Sequence, residues 1–245
     1  ETGIDSLNVI APACHDTGSA VAAVPMSSRE DALYISLGTW ALMGAEILEP
    51  AINEKSLSHN FTNEGGVDGT FRFLKNIAGL WLVQQSRAAW QREGQDLSWD
   101  DLVQAATAAP ACRSIVNPDH ESFIAPDDMP NAIQSFCETT NQTVPQSNGE
   151  VVRCVLESLA LRYRMVLNAL EELSGQTLET IHIVGGGTQN KLLCQMAADA
   201  CNRRVVAGPI EATAIGNIAV QIVSDGEIGT ISDARDVIRQ SFEVE

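Results

Sequence analysis

The chain has 245 residues, of which 44% are hydrophobic and 19% are charged, so it can bury a sizeable core and is neither disordered nor a disulfide-stapled mini-domain. Asp and Glu number 32 against 15 Lys and Arg, a formal net charge of −17. Proteins that bind nucleic acids or anionic membranes through phosphates need a clustered basic face, which this composition does not favour. A single nucleotide remains compatible, because backbone N–H groups, helix N-termini and a metal can hold a triphosphate.

The sequence predicts neither a membrane span nor a secretory signal. No stretch of 18 residues is free of charge, and the most hydrophobic helical run, 151–173, carries Arg153, Glu157, Arg162 and Arg164, so no membrane span is predicted. Residues 1–5 lack the basic and apolar regions of a secretory signal. The six cysteines include no C-x-x-C pair, and we interpret them as mostly reduced and buried in a cytoplasmic protein.

The N-terminal part of the chain predicts a strand followed by a helix, and then a β-hairpin. Residues 8–25 begin as a short apolar strand and continue as an Ala-rich helix that Pro25 stops, which places the polar residues 15–19 at a strand-to-helix junction. Residues 32–46 hold two β-rich runs divided by Gly38-Thr39 and predict a hairpin. Side chains and helical N–H groups at the first junction are placed to meet a ligand.

The middle of the chain is turn-rich at first and then helical. Residues 51–72 predict loops and short strands, and the apolar spacing from Lys75 to about Arg92 predicts a helix. Further helices are expected at 99–109 after a Ser98 N-cap, at 132–138 within an irregular insert, and at 151–173 with Ser174-Gly175 as the stop.

The last third alternates strands and helices. Strands are predicted at 180–184 and 204–207, and helices at 190–200, 212–224 and 232–240, with Gly185-Gly186-Gly187 as a turn after the first strand. A strand, a Gly turn, a helix and a second strand form a βαβ crossover over a parallel pair. The predicted class is therefore α/β with a mixed sheet.

Two glycine turns are candidate nucleotide contacts. Gly185 to Gly187 leave backbone with no side chain between it and a ligand, but the run matches neither a dinucleotide fingerprint nor a P-loop. A tight turn for close strand-helix packing explains it equally well. Gly38-Thr39 has the same two interpretations, a plain hairpin turn or a turn whose N–H groups and hydroxyl contact a phosphate.

His15-Asp16 is the best candidate for acid-base chemistry, since a carboxylate at a helix start can accept a proton from a hydroxyl while the imidazole orients the substrate. The alternative is that Asp16 is only an N-cap. Asn76 and Gln84, eight residues apart on the predicted helix, could face one cleft. His59, His120 and His182 show no metal-ligand spacing, no metal site is predicted, and His182 is expected in the core.

Six short motifs occur in order along the chain: His15-Asp16-Thr17-x-Ser-Ala, Ser36-Leu-Gly-Thr-Trp40, Asn63-Glu-Gly-Gly66, Lys75-Asn-Ile-x-Gly-Leu-Trp81, Val184-Gly-Gly-Gly-Thr-Gln-Asn190 and Glu211-Ala-Thr-Ala-x-Gly216. Each is weak alone, but the ordered set resembles the C-terminal half of a carbohydrate kinase of the FGGY family. The resemblance covers nearly all of residues 1–245.

The resemblance implies an actin-like, ribonuclease H-like domain with a mixed sheet flanked by helices. This domain is one of two that close over a ketose and ATP. Mg²⁺ is then held mainly by the nucleotide phosphates and the other domain. It implies one catalytic base, which takes a proton from the sugar hydroxyl, together with sugar and nucleotide contacts. The implied positions are Asp16 as the base, His15, Thr17 and Asn76 on the ketose, and Gly38, Thr39, Gln84, Gly185, Gly186 and Gly187 along ATP.

Family members also carry an N-terminal domain with an Asp-x-Gly-Thr/Ala-Ser-x-Arg motif that grips the phosphates, and nothing in this sequence resembles it. We therefore expect the chain to be a fragment that does not phosphorylate sugar alone and whose partner is the N-terminal half of the same enzyme. The rival hypotheses are an actin-like nucleotide-binding or assembly module and a degenerate kinase kept as a regulator. An intact Asp16 beside His15 favours the kinase.

Overall fold

The computed structural model describes residues 9–13, 15–30 and 32–245. Its described strands form a mixed sheet in the order β3-β4-β2-β1-β5-β6. The strands are β1 (Ala32–Leu37), β2 (Trp40–Ile47), β3 (Thr62–Gly65), β4 (Phe71–Ala78), β5 (Thr180–Val184) and β6 (Arg204–Ala207). The pairs β3-β4, β4-β2 and β2-β1 are antiparallel, whereas β5 runs parallel to β1 and β6 runs parallel to β5.

Helices cover both faces of this sheet. They are α1 (Asp16–Ala22), α2 (Glu54–Ser58), α3 (Trp81–Arg92), α4 (Trp99–Ala108), α5 (Met129–Thr139), α6 (Asn148–Ser174), α7 (Lys191–Cys201), α8 (Ala212–Ser224) and α9 (Ile231–Ser241), with short 3-10 turns at Glu121–Phe123 and Gly186–Gln189. Helices α1, α8 and α9 bury small apolar residues against Tyr34, Leu74 and Val184. The larger core on the opposite face joins α6 to alternate residues such as Leu33 and Ile35.

This architecture confirms the predicted class, a mixed sheet flanked by helices. The hairpin turn falls at Gly38-Thr39, where the Gly38 N–H donates to the Trp40 carbonyl oxygen at 2.9 Å. Helix α6 starts after a Ser147 capping box and ends at Gly175, whose φ of 69° is the left-handed conformation that glycine adopts readily. The bounds of β5, β6 and α8 agree with the sequence analysis.

The predicted helix from Lys75 to Arg92 is wrong at its start. Residues 71–78 form β4, which pairs with β2 along its whole length, from Phe71 opposite Ile47 to Ala78 opposite Trp40. Pairing with a neighbouring strand outweighs the local apolar spacing here. The backbone reaches a helix only at Trp81, after its N–H and that of Gly79 bond to the Thr39 carbonyl oxygen.

The predicted opening strand is also wrong where it can be compared. Residues 9–13 are irregular, and Asn8 lies outside the described residues. Pro12 has no N–H to donate to a strand ladder, which disfavours a strand at this point. His15 therefore follows an irregular segment instead of a strand, and residues 16–19 form the first part of α1 itself.

Helix α1 is fixed on the sheet by close packing and by buried charge. A Cβ built at Gly216 of α8 would lie 1.7 Å from the Ser19 carbonyl oxygen, so only glycine permits this approach. The guanidinium of Arg235 donates to the Val21 and Ala22 carbonyl oxygens at 3.0 and 3.2 Å and to Glu46 at 2.9 Å. Both partners of the Arg235–Glu46 pair are buried, so the end of α1 has a defined position.

The cysteines agree with the sequence interpretation. Cys137, Cys154, Cys194 and Cys201 are buried free thiols and Cys112 is exposed, while Cys14 lies outside the described residues. Burial raises the pKa of Cys154 to about 12 and those of Cys194 and Cys201 to about 11, so these thiols stay protonated at neutral pH. His182 is buried in β5, as expected. Among the described helices, none has the length and apolarity to cross a bilayer.

The contact between α1 and α8 gives a prediction for stability. We expect Gly216→Ala to lower the free energy of unfolding by about 1–3 kcal/mol, because its methyl group overlaps the Ser19 carbonyl and must push the helices apart. Gly65→Ala is the control, since a Cβ at Gly65 meets nothing within 4 Å, and we expect a change within about 0.5 kcal/mol. Urea unfolding followed by circular dichroism measures both, and equal stabilities would contradict the close approach.

Candidate functional site

The start of α1 carries the predicted acid-base residues. His15 occupies the N-cap position and Asp16 is the first helical residue, so the interpretation of Asp16 as a plain N-cap is wrong. The Asp16 side chain is 72% exposed. Its Oδ1 accepts the Thr17 backbone N–H at 2.7 Å and the Thr17 hydroxyl at 3.3 Å, which orients the carboxylate and leaves Oδ2 open to solvent or a ligand.

The His15 imidazole lies between two carboxylates. Its Nε2 is 3.1 Å from Asp16 Oδ1, and its Nδ1 is 3.5 Å from Glu64 Oε2. Glu64 lies on β3 opposite Arg72 of β4 in the strand register. The edge of the sheet thus supplies the second carboxylate, and the imidazole connects it to the start of α1.

Arg72 holds Glu64 in place from beneath. This arginine is only 1% exposed, its Nη2 donates to Glu64 Oε2 at 2.8 Å, and its Nε donates to the Gly65 carbonyl oxygen at 3.1 Å. Tyr34 of β1 lies beside it. Burial raises the pKa of Tyr34 far above its usual value, against the opposing effect of Arg72, so the phenol stays neutral and the Arg72 charge is balanced by Glu64.

The predicted nucleotide contacts form a second group at the other end of the sheet. The Thr39 hydroxyl in the hairpin turn donates to Gln84 Oε1 of α3 at 3.0 Å. The Leu80 N–H bonds to the Gly38 carbonyl oxygen at 2.9 Å, which ties the start of α3 to the turn. Thr39 and Gln84 therefore come together although 45 residues separate them.

The triple-glycine turn packs directly against this hairpin. Because β1 and β5 are parallel, with Ser36 opposite Val184, their carboxyl ends share one edge. Gly185 has a φ of 93°, and a Cβ at Gly187 would lie 2.2 Å from Leu37 Cγ, whereas one at Gly186 would meet nothing within 4 Å. Gly185 and Gly187 thus serve packing, and Gly186 presents open backbone.

Asn76 is on β4 and not on the helix that carries Gln84, so the prediction that both lie on one helix is wrong. Side chains alternate along a strand. Asn76 therefore shares the face of Arg72 and Leu74, the face that α1 covers, and it is exposed. Its register partner is Leu42, closer to the hairpin turn than Arg72 is, so it lies on the sheet face between the two groups.

A cleft of about 530 Å³ lies beside His15 and is walled by Glu64, Arg72 and Val220. Among the residues that the structure describes, no three His, Cys, Asp or Glu side chains come together as metal ligands. The site therefore consists of an exposed carboxylate next to an imidazole, an open sheet face, and a pair of turns with exposed backbone.

The sequence analysis did not identify Glu64 and Arg72, the residues that hold His15 in position. Glu64 was visible as part of Asn63-Glu-Gly-Gly66, but nothing in the sequence pairs it with His15. Arg72 carried no signal beyond a charge inside the apolar run of β4. Their contact with the start of α1 follows from cross-strand register, which only the folded chain reveals.

The sheet order, with antiparallel strands on one side of β1 and parallel ones on the other, defines an actin-like ATPase fold. Residues 33–224 match the family model "FGGY family of carbohydrate kinases, C-terminal domain". Since this match spans well over half of the chain, the chain belongs to the FGGY family of carbohydrate kinases.

Relatives agree with this assignment. The chain is 49% identical over 241 residues to a rhamnulokinase of Bacteroides thetaiotaomicron, an alignment that covers 98% of this chain and 49% of that protein. The chain thus spans about half the length of the curated relative it matches.

Solved structures share the fold at low sequence identity. A xylulose kinase from Rhodospirillum rubrum aligns with a TM-score of 0.64 at 16% identity, covering 90% of this chain and 43% of that one. A Plasmodium falciparum glycerol kinase with ADP aligns with a TM-score of 0.63 at 15% identity, covering 94% and 45%.

The Arg72–Glu64 contact predicts a stability effect. We expect Arg72→Met to lower the free energy of unfolding by about 1–3 kcal/mol, because Glu64 and the Gly65 carbonyl lose a charged donor. Arg92→Met is the matched control, since Arg92 is exposed and donates only to the Asp127 carbonyl oxygen; a change within about 0.5 kcal/mol is expected. Chemical unfolding measures both, and an Arg72 effect as small as the control would contradict the supporting role.

Proposed function

We propose that this chain is the C-terminal half of a sugar kinase that transfers the γ-phosphoryl group of ATP to L-rhamnulose, giving L-rhamnulose 1-phosphate and ADP. The observation that carries the proposal is an exposed Asp16 carboxylate held against His15 at the start of α1. The 49% identical rhamnulokinase supports the choice of sugar, as do the motifs at Asn63 and Lys75. An ATP-dependent kinase with free cysteines fits the cytoplasm.

Asp16 is the proposed general base. It accepts the proton of the sugar hydroxyl while that oxygen forms a bond to the γ-phosphorus and the bond from phosphorus to the ADP oxygen breaks. His15, Thr17 and Asn76 are the proposed ketose contacts. Thr17 is buried and its hydroxyl is engaged with Asp16, so its role is to orient the base as much as to meet the sugar.

The nucleotide is proposed to lie along the two turns. Gly38, Thr39 and Gln84 form one side, and Gly185, Gly186 and Gly187 form the other, next to the adenosine. The open Gly186 backbone and the Thr39–Gln84 contact support this placement, because a flat ligand can approach backbone that has no side chain.

Mg²⁺ is proposed to arrive with ATP and to be held mainly by its phosphates and by the N-terminal half of the full-length enzyme. Mg²⁺ is usually bound through one or two carboxylates plus substrate phosphates. The described residues fit that division, since the exposed carboxylate of the site, Asp16, is assigned to the proton of the sugar hydroxyl and not to the ion. When bound, the ion neutralises charge on the transferred phosphoryl group.

Two alternatives remain open to test. Another ketose kinase of the same family, such as a fuculokinase or xylulokinase, would use the same residues with different sugar contacts. An actin-like assembly module would need the nucleotide turns but not a carboxylate beside an imidazole. The Asp16–His15 contact at 3.1 Å favours a kinase.

The nucleotide placement is tested by Gln84→Ala. Loss of its hydrogen bond with Thr39 and of its contact with ATP is expected to weaken ADP binding by about three- to tenfold, measured by calorimetry on the 245-residue chain. The neighbouring Gln85→Ala is the matched control and should bind ADP like the unaltered chain. Unchanged affinity in the Gln84 variant would remove Gln84 from the nucleotide site.

The role of Asp16 is tested in the full-length enzyme. Asp16→Asn keeps the size of the side chain but removes the proton acceptor, so kcat for L-rhamnulose should fall by about 10²–10⁴ with little change in KM for ATP. Asp100→Asn is the control, because Asp100 is also an exposed acidic residue in the first turn of a helix, and its turnover should persist. Near-normal kcat in a folded Asp16→Asn enzyme would refute the general-base role.

A further inference from the structure

A second cavity lies on the face of the sheet opposite to α1. It has a volume of about 230 Å³ and lies between β4 and α6, with Lys75, Arg162, His59 and Phe61 among its walls. Lys75 follows Leu74 and precedes Asn76, so strand alternation directs it to the α6 face, away from the candidate site. None of the proposed catalytic, sugar or nucleotide residues lines this cavity.

Lys75 places a charge in this cavity and forms no ion pair with the described carboxylates. Its side chain is half-buried, its ammonium donates to the His59 carbonyl oxygen, and it lies 5.8 Å from the centre of the Phe61 ring. Among the described residues, no Asp or Glu oxygen lies within 4 Å of its Nζ. Burial, together with the neighbouring Arg162, lowers the pKa of Lys75, and the Asp119 carboxylate partly opposes this shift.

Arg162 is the second cation, and its carboxylate partner, Asp119, also accepts a backbone hydrogen bond. Its Nε donates to Asp119 Oδ2 at 2.7 Å, while Asp119 Oδ1 accepts the Ala78 backbone N–H at 2.7 Å. Within the described ranges the terminal nitrogens of Arg162 have no acceptor. Two cations therefore lie near one carboxylate, which forms an ion pair with Arg162 and not with Lys75. An added anion beside both cations would favour their charged forms.

Glu172, the acidic residue that lines the cavity, lies at the end away from Arg162. Glu172 lies ten residues beyond Arg162 on α6, about 15 Å along the helix. It pairs with Lys55 at 3.0 Å and with His59 Nε2 at 3.7 Å. The cavity thus has an acidic end that is already paired and a basic end with spare donors.

We propose that the basic end of this cavity, at Lys75 and Arg162, binds the phosphate group of a small phosphomonoester or free inorganic phosphate. The ammonium and the guanidinium fork supply several donors for a tetrahedral anion, the pairing that Arg and Lys commonly make with phosphate. The volume leaves room for a short carbon skeleton against Phe61, Val166 and Ala169. The proposal is independent of the proposed kinase activity.

The test is a titration of the isotope-labelled 245-residue chain followed by amide chemical shifts. Inorganic phosphate, glycerol 3-phosphate and acetate are the probes. We expect saturable shifts around Lys75 and Arg162 with both phosphates, and weaker binding of acetate. If both phosphates bind with equal affinity, the phosphate group alone is sufficient for binding. If glycerol 3-phosphate binds more tightly, its carbon skeleton contributes to binding. Shifts confined to Gly185 to Gly187, or acetate binding as tight as phosphate binding, would overturn the proposal.

Variants locate the anion independently. Lys75→Met is expected to fold, because it removes a desolvated charge, and to weaken phosphate binding about tenfold or more. Arg162→Gln should have a similar effect on binding. The control is Lys55→Met, which removes an exposed ammonium at the acidic end and should leave phosphate affinity unchanged. If the Lys55 and Lys75 variants lost phosphate affinity equally, the phosphate would be attracted by the overall charge, and a defined site would be refuted.

Discussion

The antiparallel and parallel pairings of β1 determine where the two glycine turns of the candidate site lie. On one side β1 pairs antiparallel with β2 through the Gly38-Thr39 turn, and on the other it pairs parallel with β5. An antiparallel neighbour needs only a tight turn, whereas a parallel neighbour needs a long crossover. The carboxyl end of β1 therefore meets both the hairpin turn and the triple-glycine turn after β5. Leu37 is the residue both share, since Gly185 and Gly187 pack against it.

Buried charged residues fix the position of α1, as strand pairing fixes the positions of the two turns. Arg235 holds the carbonyl groups at the end of α1, and Arg72 reaches its start through Glu64 and His15. A short helix gains little stability from its own hydrogen bonds, so its position depends on these contacts and on the close approach of Gly216. Removing one partner of a buried pair leaves an uncompensated charge, which makes the position of Asp16 sensitive to residues far from it in the sequence.

The sequence predicts the elements whose signals are local. The Ser98 N-cap, Gly175 and the strand patterns at 180–184 and 204–207 lie at or within the elements they define, and the structure has them there. The long helix was predicted from 151 but begins at Asn148, after a Ser147 capping box that the sequence analysis did not use. Apolar spacing at residues 75–78 suits a helix and a strand alike. Pairing with β2, whose partner residues Trp40 to Met43 lie far earlier in the chain, makes this segment a strand. The polar support of His15 was hidden for the same reason, because Glu64 and Arg72 meet it only through the register of β3 and β4.

Strand β4 contributes one residue to each of the two proposed ligand sites. Consecutive residues of a strand point to opposite faces, so Asn76 belongs to the face proposed for the sugar and Lys75 to the cavity proposed for phosphate. The backbone between them is paired with β2 on one side, and the next segment is held by Asp119, which accepts the Ala78 N–H and the Arg162 guanidinium together. An anion that draws Arg162 toward Lys75 would pull on the same carboxylate that anchors the end of β4. Because β4 leads directly into the Gly79 and Leu80 contacts with the hairpin turn, the two faces are connected through a hydrogen-bonded strand end.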